Sequence, residues 1–221
     1  MQAKQFSKGE ALRFGLDTMK GNLGFFIGLL IVAWLVAAVP SLLGGLARED
    51  APALGFVLEV GGWVLSLIIS MGMIRIALRL CDTGEREFAD LFSQYRLFFK
   101  ALLAAILYGL IVLGGIVLLV VPGIIWGVKL QFCLYLVVDR RLGPVEALRA
   151  SSAVTQGVKW HLFLFGLLLL AINLLGVLCL GIGLFATVPT TMVATAFVYR
   201  KLLAQTESLQ VSETATDETN A

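Results

Sequence analysis

Apolar residues fill this chain in runs far longer than a soluble helix needs, and short polar islands separate the runs. The first extends over 23–46. The second covers 53–80, with Glu59 and Arg75 as its only charges before Arg79. Two further runs, 101–138 and 162–199, are 38 residues each. At helical rise each would reach roughly 57 Å, nearly twice a hydrocarbon core of about 30 Å. Each must therefore fold back on itself. "VVPGI" at 120–124 supplies a breaker for the first and "LCLGIG" at 178–183 for the second. The pattern predicts an all-α, polytopic helical membrane protein with six spans at about 23–46, 53–80, 101–121, 123–138, 161–178 and 182–199. Pro189 falls in the first turns of the sixth and kinks rather than stops it. A transmembrane barrel would alternate apolar and polar residues over about ten positions per strand, and no segment does so.

The polar islands have a pattern of their own. Residues 5–22 place Leu12, Leu16, Met19 and Leu23 at helical spacing. Residues 85–100 place Phe88, Leu91, Phe92, Tyr95, Phe98 and Phe99 on one face, and 144–158 begin with Pro144 and carry a weaker stripe. Each reads as an amphipathic helix at headgroup level that bends into a span. "EALR" occurs at 10–13 and again at 146–149, and at the same offset of 136 Gly21 aligns with Gly157. These matches predict three copies of one unit, an interfacial helix followed by a two-helix hairpin, with pseudo-symmetry about the membrane normal. Lys159, Trp160 and His161 then anchor the fifth span at the headgroups.

Charge gives the units an orientation. In a six-span arrangement 15 of the 17 Lys and Arg fall on the side that holds both termini; Arg48 lies opposite and Lys129 within a span. That asymmetry predicts that both termini face the cytoplasm. Composition agrees: 59% hydrophobic, 14% charged, mean hydropathy +0.92. A net charge of +2 gives a nucleic-acid partner no support. The first run is too long for a signal-peptide core of roughly 7–15 residues and is expected to be retained. Residues 1–203 form one integral membrane domain, and the Ser/Thr-rich acidic stretch 204–221 is expected to be disordered.

Candidate chemistry is sparse. Cys81, Cys133 and Cys179 lie singly in or beside apolar runs and read as packing residues. His161 has no second histidine to share a metal. No metal site or cofactor is implied, and no catalytic motif stands in a suitable setting. Ionisable groups inside spans are costly, so Glu59 and Lys129 are expected to pair. Asn173 and Gln131 would complete an intramembrane polar layer at one depth.

The block 118–170 resembles a signature of bacterial multi-pass membrane proteins, a group that includes the membrane domain of glycerophosphoryl diester phosphodiesterases. The resemblance is carried by Pro122, Gly123, Lys129, Asp139, Gly143, Glu146, Ala147, Leu148, Arg149, Ser151, Thr155 and Gly157, and by the closing "VYRKL" at 198–202. It implies a helical membrane domain. In some members that domain is attached to a soluble phosphodiesterase barrel, but the 18 residues after Leu203 cannot hold one, so no catalytic residue is carried over. The expected function is non-catalytic: envelope or lipid organisation, or a membrane scaffold. The alternative is a small transporter or channel built on the polar layer. Membrane lipids are the expected partners, with a second copy of the chain or another membrane protein as further candidates.

Overall fold

Apolar runs broken by Gly and Pro close into helical hairpins when small residues let the two backbones meet. The computed structural model, which describes residues 4–179 and 181–219 (side chains of 49, 50, 210 and 212–219 excepted), contains three of them. Helix α1 (Lys8–Gly21) leads into the first hairpin, α2 (Leu23–Asp50) and α3 (Pro52–Asp82). The second pairs α4 (Phe98–Leu118) with α5 (Val120–Leu130), which continues as α6 (Cys133–Arg140). Helix α7 (Pro144–Val154) leads into the third, α8 (Lys159–Leu178) and α9 (Leu184–Thr219). No strand occurs among the described residues.

Each hairpin has a glycine pair near its tip. A β-carbon on Gly55 would stand 2.9 Å from the Gly44 carbonyl oxygen, one on Gly115 2.8 Å from the Gly123 Cα, and one on Gly183 2.7 Å from the Gly176 Cα. Lower in the first hairpin, Gly62 leaves a notch for the Pro40 ring. The bends fall close to where the sequence puts them, with one shift. The extended residue of the second hairpin is Leu119, and Pro122 lies in the first turn of α5, where its missing N–H costs nothing.

Among the described residues, five stretches are long and apolar enough to cross a membrane: Leu23–Arg48, Pro52–Asp82, Phe88–Leu118, Val120–Arg140 and Lys159–Leu178. Helix α9 begins with four threonines and Pro189 among its first dozen residues and is less apolar. It nevertheless lies antiparallel to α8, with Gly183 on Gly176 and Thr191 on Asn173.

The three units close into a ring, and each leading element packs on the hairpin before it. Helix α7 lies on α4, α5 and α6; the segment around Phe88–Leu91 lies on α3; and α1 runs antiparallel along α9. Glu10 pairs with Lys201 at 2.7 Å, Phe14 stacks on Phe197 at 4.8 Å, and Gly15 abuts the Thr190 carbonyl. The main core gathers the lower parts of α3, α4 and α8 with α6, α7 and α9. Hairpin tips are bare by contrast: Leu46 is 76% exposed, Val117 79% and Leu178 71%.

Two expectations are corrected. Residues 85–97 form no continuous amphipathic helix but two 3₁₀ turns, Phe88–Leu91 and Tyr95–Leu97. Arg79 of α3 holds Asp90 at 2.8 Å and Glu87 at 3.2 Å, while Leu91 presses its backbone onto Gly72, where a β-carbon would meet the Leu91 carbonyl oxygen at 2.1 Å. Those tethers fix the segment in a tighter path than a free helix would take. The stretch from 204 is also not disordered at its start: α9 runs on through it. Thr206 is buried, Gln205 exchanges two hydrogen bonds with the Gln5 backbone, and Glu207 pairs with Arg140. Residues 220 and 221 lie outside the described residues.

Candidate functional site

Two polar features form where the units meet. The first is a clasp at the lower ends of α3, α6 and α9. The Arg200 guanidinium bridges Asp82 of α3 at 2.5 Å and Asp139 of α6 at 2.7 Å. The Tyr199 hydroxyl donates to the same Asp139 carboxylate at 2.9 Å. The Asp139 side chain is only 7% exposed, and these donors together with Arg140 at 3.5 Å surround it. Asp139 and "VYRKL" are thus two halves of one contact, which sequence spacing could not reveal.

The second feature is a break between α5 and α6. A straight helix would carry hydrogen bonds across Gln131 and Phe132, but the chain turns there. Helix α7 supplies the replacements. The Ser151 hydroxyl accepts from the Phe132 N–H at 3.2 Å and donates to the Lys129 carbonyl at 3.1 Å; the Thr155 hydroxyl donates to the same carbonyl at 3.0 Å. Side chains from a neighbouring helix that take over interrupted bonds are a known cause of a kink. Helix α7 is itself held at both ends. Pro144 opens it, and Glu146 accepts from the Gly143 N–H at 3.1 Å. At its far end Lys4 donates to the Ala153 carbonyl at 2.7 Å, and burial pulls that ammonium below its ordinary pKa. Gly157, at φ +85°, then reverses the chain into α8 in a conformation that glycine tolerates best. Gly123 packs on Ile116.

Beside the break lies a cavity of about 480 Å³ lined by Ile111, Trp126, Lys129, Leu130, Leu148, Arg149 and Ser152. It brings together two motif cations from different helices. Neither side chain has a hydrogen-bond or ion-pair partner among the described residues.

The expected polar layer does not assemble. Glu59 pairs with Arg48 across the first hairpin at 2.9 Å, not with Lys129. Helix α2 extends beyond the anticipated turn, which carries Arg48 into register with Glu59. Asn173 donates to Thr191 at 3.3 Å inside the third hairpin, and Gln131 sits at the α5–α6 break with its buried Nε2 unpartnered. The four residues are divided among three hairpins. Thr190, Thr191 and Thr195 bond back to carbonyls of their own helix, as packing residues do. Trp160 and His161 are exposed at the start of α8.

The profile of a family described as "Protein of unknown function (DUF975)" matches residues 110–206, a stretch that includes the break, the cavity and all of the clasp except Asp82. An uncharacterized protein of Mycobacterium bovis and one of Mycobacterium tuberculosis are each 27% identical over 229 residues, covering 91% of this chain and 70% of their own. No solved structure matches the chain. The chain is therefore similar to proteins of an uncharacterised family, with the match centred on the second and third units.

Proposed function

We propose that this chain is a non-catalytic multi-pass protein of the bacterial inner membrane, with its clasped base toward the cytoplasm, acting in lipid or envelope organisation or as a membrane scaffold. What supports this reading is the contrast between three bare apolar hairpin tips and the packed region around α6, α7 and α9, together with the 15 of 17 Lys and Arg that a six-span arrangement assigns to the side of both termini. Six crossings, with α9 as the sixth, put both termini on the cytoplasmic side. The resemblance of 118–170 to the group containing the glycerophosphoryl diester phosphodiesterase membrane domain favours a lipid-linked role. The transporter alternative drew on a shared polar layer, and the separate partners of Glu59 and Asn173 leave it without that support.

Extraction of the full chain from native membranes into polymer-bounded discs, followed by mass spectrometry, tests the reading. A stoichiometric lipid or a stable membrane-protein partner is expected. Recovery of the chain with neither, together with solute flux in reconstituted vesicles, would overturn it in favour of the transporter.

A further inference from the structure

We propose that the cavity between α4, α5 and α7 holds the phosphate of an anionic membrane lipid, with Lys129 and Arg149 as its cations. The proposal rests on the membrane reading above and narrows it to one ligand class. Lys129 and Arg149 approach the cavity from different helices with no acid paired to either. Glu146, one turn earlier on α7, is engaged by the Gly143 N–H. Two cations beside apolar walls, with no acid opposite them, leave an anion as the complementary partner.

Lys129 is also held in position. Its carbonyl takes both the Ser151 and the Thr155 hydroxyls, so the backbone that presents the ammonium is fixed by α7, the same helix that presents Arg149. The fold's own second copy makes the corresponding contact without a lysine. At the offset of 136, Leu12, Arg13 and Leu16 of α1 correspond to Leu148, Arg149 and Ser152 of α7, and they line an equivalent cavity of about 340 Å³ against α8 and α9. Gly15 corresponds to Ser151. Gly15 rests on the Thr190 carbonyl where Ser151 bonds the Lys129 carbonyl, so Thr190 stands in the place of Lys129. One copy builds the seat with a single cation, and the other adds a second.

The chemistry of the walls selects a lipid over a soluble ion. Arg offers forked donors and Lys a point charge, a pairing suited to phosphate oxygens, and Ser152 adds a hydroxyl. Ile111, Trp126, Leu130 and Leu148 supply apolar surface for the glycerol and upper acyl chains.

The test uses the full chain purified in a neutral detergent, titrated separately with short-chain phosphatidylglycerol, short-chain phosphatidylcholine and inorganic phosphate, with thermal protection as the readout. Phosphatidylglycerol is expected to bind at least about tenfold more tightly than phosphatidylcholine, and K129Q/R149Q to erase the difference. Arg149 is exposed, so R149Q alone keeps the fold and is expected to lose several-fold in affinity, which R149K partly restores. Equal affinity for the two lipids, or an unchanged preference in R149Q, overturns the proposal. So does protection by inorganic phosphate as full as that by phosphatidylglycerol, which would make the cavity a soluble-anion site. A stoichiometric lipid from native membranes together with a cation-insensitive preference would sink this proposal alone. Loss of all co-purifying lipid and protein would sink the reading beneath it.

Discussion

Helices α1 and α7 occupy equivalent places in the ring, yet they are fastened differently. Their N-caps, Ser7 and Gly143, stand at the shared offset, as do Glu10 and Glu146 in the first turn and the fully buried Ala11 and Ala147. Beyond that the two diverge. At its middle helix α1 closes by contact: Gly15 lets it meet the backbone of an unbroken α9, with the Glu10–Lys201 pair beside it. Helix α7 fastens by hydrogen bonds: Ser151 and Thr155 intrude on the second hairpin and hold it open as a break. The same repeat can therefore serve as packing in one copy and as a chemical frame in another. What separates them is a glycine against a serine, and a threonine against a lysine across the interface.

The largest effect should come from what the two places share. Arg200→Ala leaves the buried Asp139 carboxylate without its main partner. It is expected to cost about 3–5 kcal/mol, loosening both places together in a thermal melt in detergent. Gly15→Ala should cost about 1–3 kcal/mol, because its new methyl would stand 2.4 Å from the Thr190 carbonyl oxygen. Its signature is early proteolysis of α1 while α7 stays protected. Ser151→Ala should act in the opposite place at about 1–3 kcal/mol, since the buried Phe132 N–H loses its acceptor. Amide exchange should rise at residues 130–133 and not along α9. A second site marks the lower end of the scale. Glu59→Gln, near the tip of the first hairpin, still offers Arg48 an amide oxygen as acceptor and should be the mildest of these changes, at about 1 kcal/mol. Exchanging the charges of Glu59 and Lys129 in a double variant should produce no mutual rescue in expression or melting.

The part of this architecture that was legible in the sequence is the part governed by local pattern. Apolar run length fixed the number of hairpins, Gly and Pro marked their tips to within a few residues, and "EALR" betrayed the relation of α1 to α7. What escaped depends on contacts distant in sequence. The α5–α6 break lies within an apolar run, and the hydroxyls that stabilise it come from about 20 residues downstream. The 3₁₀ turns at 88–97 answer to Arg79 and Gly72 on another helix rather than to their own aromatic periodicity. Glu59 chose Arg48 because α2 runs one turn further than its apolar stretch. The motif residues were legible as a set, but their roles were not. Asp139 meets Tyr199 and Arg200 only after the third unit has wrapped around the second.

The account depends most on the ring being closed by α1 against α9. In a background with Cys81, Cys133 and Cys179 replaced by alanine, cysteines at Phe14 and Phe197 can be oxidised in intact membranes and compared with a pair at Glu59 and Lys129. The account predicts a rapid bond within one chain for the first pair and none for the second. A bond between Glu59 and Lys129 positions, with the Phe14 and Phe197 positions unreactive toward each other, would contradict it.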